Sequence, residues 1–145
     1  MKKSDKYECL KLNNQLCFPL YACAKEVVRR YKPYLDEIDL TYTQYIAMMV
    51  MWEHEKVSVK EMGEYLFLDS GTLTPVLKTL EKKGYLKRER SKEDERNLIV
   101  TLTKEGAALK DRASSIPGKM GGCMKLDEQD AMDLYRILHK MMEQW

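Results

Sequence analysis

The chain has 145 residues, of which 44% are hydrophobic and 33% charged, and a formal net charge of +2. That size suits one domain, or one domain with a dimerisation appendage. No apolar run of about 18 residues is present, which excludes a transmembrane helix, and the basic start MKKSDKYECLK lacks the apolar stretch a signal peptide needs.

A cytoplasmic protein is therefore expected, with Cys9, Cys17, Cys23 and Cys123 reduced at rest. The cysteines form no CxxC pair, and His54 and His139 are isolated, so neither a metal site nor a cofactor is expected. No internal repeat or low-complexity segment interrupts the chain.

Residues 1–12 read as a loose polar lead-in. A long helix is expected from Asn13, because Leu16, Leu20, Ala24, Val27, Tyr31 and Leu35 recur at three and four. Pro19 suits its first turn, while Pro33 should kink or end it near Lys32. So long an apolar stripe asks for a partner helix from a second subunit. Cys23 lies six residues after Cys17, about 600° around the helix, and reads as core. Cys9 reads as exposed.

Thr41 and Gln44 have capping-box spacing and open a second helix, with Tyr45, Met48, Met49 and Trp52 on its apolar face. Ser58 and Glu61 repeat the device before a short helix with Met62, Tyr65 and Leu66 on one side. Phe67–Asp69 then turns the chain into a further amphipathic helix with Leu73, Val76, Leu77 and Leu80 inward. Two helices joined by a tight loop make a helix-turn-helix.

Gly84 stops that helix. Leu86–Arg90 and Leu98–Leu102 read as strands joined by a charged tip, Ser91–Arg96. From Lys78 to Arg96 there are eight basic residues against five acidic ones, a local excess larger than the charge of the whole chain. Phosphate neutralisation supplies much of DNA affinity, so the local excess is what counts. Ser70, Thr72 and Thr74 offer hydroxyls to phosphates or base edges, Thr72 and Pro75 offer apolar contact to thymine methyls, and Lys78 meets a phosphate. Arg96 at the tip is the candidate for a narrow minor groove, with Asp94 orienting it. Arg88 and Arg90 share one face of their strand and are candidates for the DNA backbone.

A fifth helix starts at Thr103, with Ala107, Ala108, Leu109 and Ala113 inward. Pro117, Gly118, Gly121 and Gly122 should leave Ser114–Lys125 bent or mobile. Asp127 caps a last helix, helped by Asp130 in its first turn, whose stripe runs Ala131, Leu134, Tyr135, Leu138, Met141, Met142 and Trp145. Its apolar surface again argues for intersubunit packing. The expected class is mainly α with a small β-hairpin wing (α+β). It is a single domain, 1–145, with a winged helix-turn-helix lobe at 41–103 flanked by dimerisation helices at 12–40 and 104–145.

From about Leu12 onward the chain resembles the MarR family of winged-helix repressors. The marks are Asp94-Glu95-Arg96 at the wing and Leu102-Thr103-Lys104-Glu105-Gly106 at the helix start. Asn14-Gln15-Leu16-Cys17-Phe18, Leu20-Tyr21-Ala22-Cys23, Tyr31-Lys32-Pro33 and Leu40-Thr41-Tyr42-Thr43-Gln44-Tyr45 look like the organic hydroperoxide resistance regulators. The resemblance implies that Cys17 senses peroxide, with Tyr31 and Tyr42 of the other subunit hydrogen-bonded to it. It implies a homodimer on a pseudo-palindromic operator of double-stranded DNA, with an organic hydroperoxide as signal and no membrane. Some members carry a second cysteine in the C-terminal third that forms an intersubunit disulfide with the sensor. Cys123 could take that part, or a low-molecular-weight thiol could cap Cys17 instead.

The residues fit this chemistry. A thiolate attacks a peroxide, and Cys17 falls near a helix N-terminus, which favours an anion. Leu16, Phe18 and Leu20 suit an apolar pocket for an organic peroxide. No thioredoxin-like βαβ pattern is present, so an enzyme is not expected. The alternative is a MarR-type repressor switched by a small aromatic ligand, with Cys17 incidental.

Overall fold

The computed structural model describes residues 6–145, so the start of the expected lead-in lies outside the described residues. The chain forms two compact units, Tyr31–Ile116 and the chain up to Arg30 together with Pro117–Trp145. The expected lobe ended at 41 and 103, so the first unit is larger than that.

In the first unit, helix α1 (Cys17–Asp36) contributes its last turns, with Leu35 buried. Pro33 does not end the helix near Lys32 as expected. It costs one backbone hydrogen bond on a solvent-facing stretch, and the Lys32–Asp36 ion pair at 2.9 Å spans it. Asp39, with φ +52°, makes the turn that follows. Ile38 and Leu40 both donate their N–H groups to the Leu35 carbonyl at 3.1 Å.

Helix α2 (Tyr42–His54) opens on the expected capping box: Gln44 N donates to Thr41 Oγ1 at 3.3 Å and Thr41 N to Gln44 Oε1 at 3.1 Å. It buries Gln44, Tyr45, Ala47, Met48, Val50 and Met51, more than one stripe, because three later helices of this unit and the sheet pack around it. Met49, expected inward, is exposed. Helix α3 (Val59–Leu66) has the second expected capping box and buries Met62. Tyr65, also expected inward, faces solvent and stacks on His54 with ring centroids 4.6 Å apart.

Helix α4 (Ser70–Lys82) is capped by Asp69, whose Oδ1 accepts from Thr72 N at 2.7 Å. Leu73, Leu77 and Leu80 are fully buried. Gly63 permits the tight helix-turn-helix approach, since a Cβ there would lie 2.6 Å from the Leu68 carbonyl oxygen. Gly84, at φ +85°, follows α4 as expected.

Strands β2 (Leu86–Arg90) and β3 (Leu98–Leu102) match the expected wing and pair antiparallel, Arg88 opposite Val100. A third strand, β1 (Lys56–Ser58), pairs with β3 to give the order β1-β3-β2. Its three residues are too few to carry a detectable alternation. Helix α5 (Lys104–Ala113) buries Gly106, Leu109 and Ala113 rather than Ala107 and Ala108. Gly106 sets that rotation: a Cβ would meet the Tyr85 carbonyl oxygen at 2.0 Å.

In the second unit the described lead-in is two 3₁₀ turns, Glu8–Leu10 and Leu12–Asn14, rather than a loose segment. Asn14 Nδ2 donates to the Glu8 carbonyl at 2.8 Å and Gln15 Nε2 to that of Cys9 at 2.5 Å. Gln15 is extended, so α1 begins at Cys17 and not at Asn13. Segment 114–125, which passes from the first unit into the second after Ile116, holds a short helix, α6 (Ile116–Met120), followed by a turn. Helix α7 (Glu128–Met142) starts on the expected Asp127 cap and buries none of its residues.

Candidate nucleic-acid interface and thiol site

The face of α4 opposite its buried leucines carries Ser70, Thr72, Pro75 and Lys78, all exposed. Helical spacing places them there once Leu73, Leu77 and Leu80 face inward. Thr74 is half-buried, and its hydroxyl donates to the Ser70 carbonyl at 2.7 Å, leaving that oxygen to accept only. The N–H of Thr72 holds the Asp69 carboxyl below the usual range, so the cap is ionised at neutral pH.

The wing tip is built from its own side chains. Ser91 N donates to the Asn97 carbonyl at 2.7 Å, and Ser91 Oγ accepts from Glu93 and Asp94 N–H groups at 3.2 and 3.4 Å. Asp94 Oδ1 accepts from Arg96 N at 3.1 Å and from Arg96 Nε at 3.2 Å. Arg96 thus stands 90% exposed with its root fixed, an arrangement that matches the expected pairing. Arg90 Nη1 donates to the Glu95 carbonyl at 2.8 Å, across the base of the tip.

Arg88 is placed differently. Its guanidinium donates to Glu81 Oε1 at 3.0 and 3.3 Å and its N–H to Glu81 Oε2 at 2.8 Å. These bonds, the N–H first, hold the Glu81 carboxyl below the usual range. The pair ties β2 to the last turn of α4. Sequence reasoning missed it, because seven residues and a glycine turn separate the partners.

Cys17 is the first residue of α1 and is exposed. Leu16, Phe18 and Leu20 beside it are 87%, 41% and 42% exposed, so the expected apolar pocket is an open surface on this chain. Cys23, expected in the core, is exposed too, because its face of α1 is uncovered; Cys9 is exposed as expected. Cys123 is half-buried in the turn after α6, where Arg30 donates to its carbonyl. Arg30 also bonds Glu26 at 2.9 Å, and Arg29 with Arg30 holds that carboxyl at about 2. Cys17 and Cys123 are both free thiols.

Tyr31 and Tyr42 come together, with ring centroids 5.0 Å apart and planes tilted by 52°. Tyr45 lies 5.8 Å from Tyr31 and 6.3 Å from Tyr42, and Trp52 extends the cluster. Trp52 is itself anchored by Nε1 on the Gly106 carbonyl at 2.8 Å. Burial pushes the Tyr42 and Tyr45 hydroxyls above their usual range, which keeps them protonated donors. Tyr45, expected only on the apolar face of α2, shares the cluster, and its spacing of three from Tyr42 is the signal for it. Among the described residues, no group of three or more His, Cys, Asp or Glu could hold a metal, and no helix is long and apolar enough to cross a membrane.

The family model for the SarA/Rot transcriptional regulators matches residues 29–113. The chain belongs to this family. The SarA/Rot-type regulator is 48% identical, over 139 residues, to the organic hydroperoxide resistance transcriptional regulator of Bacillus subtilis, covering 96% of its own length and 95% of the relative. It superposes on reduced AbfR bound to DNA with a TM-score of 0.78 and 32% identity, covering 96% of this chain and 97% of that one. On disulfide-formed AbfR the TM-score is 0.64 with 33% identity, covering 94% and 96%; AbfR is a Staphylococcus epidermidis protein. The expected winged helix-turn-helix and the kinship with the hydroperoxide resistance regulators are both borne out.

Proposed function

We propose that the protein is a homodimeric repressor that binds a pseudo-palindromic operator when reduced and leaves it when an organic hydroperoxide oxidises Cys17. The observation that carries this is the meeting of the Tyr31 and Tyr42 rings, 5.0 Å apart, with the Tyr42 hydroxyl kept protonated by burial, together with an exposed cysteine at the start of α1. The relatives bear the same sense: one is named for organic hydroperoxide resistance, and AbfR is known reduced on DNA and in a disulfide form.

Cys17 and Tyr31 lie fourteen residues apart on one helix, or about 21 Å at helical rise. A Tyr31 that reaches Cys17 therefore comes from the partner. Exposed Leu16 just before α1, Phe18, Leu20 and Tyr21 on it, and Met132, Leu134, Tyr135 and Ile137 on α7 supply apolar surface for that dimer. The Cys17 thiolate attacks one peroxide oxygen, the O–O bond breaks, and the alkoxide leaves as the alcohol after taking a proton. The sulfenic acid then forms a disulfide, releasing water, with the partner's Cys123 or with a low-molecular-weight thiol. Peroxide is consumed stoichiometrically, as signal rather than substrate, and the cytoplasm suits the reduced resting state.

On DNA, Ser70, Thr72, Thr74, Pro75 and Lys78 face the major groove, and Arg96, held by Asp94, enters the minor groove. Arg90 meets the backbone, while Arg88 positions the wing through Glu81. Two copies read half-sites about one helical turn apart. A hundredfold loss of affinity on oxidation needs a coupling of about 2.7 kcal/mol. The test is intact mass after one equivalent of cumene hydroperoxide, read with operator binding on the same sample. A covalent dimer that disappears in Cys123→Ser assigns the disulfide to Cys123, and a mass gain of one small thiol assigns it to that thiol. Release of DNA with Cys17 unmodified would overturn thiol sensing.

A further inference from the structure

Between Tyr31 and Tyr42 the chain makes one tight turn, and two cations from elsewhere in the same unit hold it. Ile38 and Leu40 in the turn are buried, and both bond back to Leu35, so the segment is fixed to the end of α1. Arg112 of α5 donates to the Glu37 carbonyl at 2.5 Å. Lys83 donates to the Asp39 carbonyl, and its Nζ lies 3.3 Å from Asp39 Oδ2. Lys83 immediately follows α4, and its own N–H bonds the Thr79 carbonyl at 3.0 Å. Its side chain is only 24% exposed, so this lysine's charge serves the protein, unlike the solvent-facing Lys78.

We propose that Lys83 is the coupling residue between the tyrosine pair and the recognition helix. This rests on the redox reading above. Tyr31 stands two turns before the Asp39 bend on α1 and Tyr42 opens the helix after it. A shift of either ring moves this bend, and the Lys83 ammonium carries the movement into the C-terminal end of α4. The carbonyl of Asp39 is the main acceptor, since its carboxylate is 88% exposed and screened. An element that both sites bias is what physical coupling requires.

The experiment measures the Kd of reduced and cumene-hydroperoxide-oxidised protein for a duplex selected by the reduced parent from a random pool. Lys83→Met keeps the apolar stem. It holds reduced affinity within about threefold of the parent and lowers the oxidised-to-reduced Kd ratio by at least about fivefold. Lys83→Arg keeps a donor and restores the ratio, and Asp39→Asn, which keeps the carbonyl, leaves it near the parent's. If Lys83→Met fails to melt cooperatively, Lys83→Gln is read in its place with the same expectation. A ratio unchanged within about twofold, or equal losses in both states, overturns the coupling alone. A parent ratio near one overturns the redox reading together with it.

Discussion

The residue that carries most of the proposed specificity for a narrow groove is Arg96, and its geometry makes the contribution separable. Asp94 fixes its root while the guanidinium stands in solvent. Arg96→Ala should therefore weaken operator binding roughly tenfold, about 1.4 kcal/mol, with no change in thermal melting. Lys78→Ala, by contrast, should lower the slope of log K against log salt by about one and weaken binding to all sequences alike. Anisotropy titrations at several salt concentrations check both; an unchanged slope in Lys78→Ala contradicts the phosphate assignment.

The tyrosines give a pH test at the same scale. Burial raises Tyr42 above its ordinary 10 in the folded chain. The unfolded chain then loses that proton at lower pH than the folded one. Its contribution to stability is complete below about pH 10 and is lost as pH rises through the folded value. Stability should fall in that alkaline window and fall less in Tyr42→Phe, measured by urea unfolding at each pH; identical profiles would contradict it. Asp69 has the opposite sign. Its depressed carboxyl supports the start of α4 above about pH 4 and ceases to as pH drops through its folded value.

Among the elements, those legible in the sequence are the ones fixed by local bonds. Both capping boxes, the Thr103 and Asp127 starts, the Gly84 stop and the two wing strands depend on neighbours in sequence, and they lie where spacing puts them. What failed depends on distant surroundings. Helix α2 shows no single stripe because other elements surround it, and Cys23 is exposed because an amphipathic pattern cannot tell a core from an open interface. Pro33 is expected to kink or end α1 near Lys32, yet the helix runs on to Asp36, because an exposed helix tolerates the missing bond. In the candidate site, the hydroxyl and basic residues of α4 and the wing were legible from charge and order. The Tyr31–Tyr42 meeting was implied only by resemblance, and the Arg88–Glu81 and Lys83–Asp39 pairs left no local trace.

Thr103 tests the economy of these joints. Its Oγ1 accepts from Gly106 N at 3.0 Å and donates to the Gly84 carbonyl at 2.6 Å, linking the start of α5 to the stop of α4. Thr103→Val should cost about 1–2 kcal/mol of unfolding free energy, read from the denaturation midpoint. A midpoint within error of the parent's contradicts the role.

At the scale of the whole molecule, the local positive excess from Lys78 to Arg96 lies in the winged unit, while the exposed apolar side chains cluster on the N-terminal half of α1 and on α7. One surface suits DNA and the other a second copy of the chain, so sensing across the dimer and reading of DNA are separate tasks that must be coupled. The measurement that tests this most directly is operator affinity before and after cumene hydroperoxide, in the parent and in Cys17→Ser. The parent should bind when reduced and lose on the order of a hundredfold in affinity when oxidised. Cys17→Ser should bind as the reduced parent does and stay bound under peroxide, whereas release of Cys17→Ser to the same extent as the parent would contradict the account.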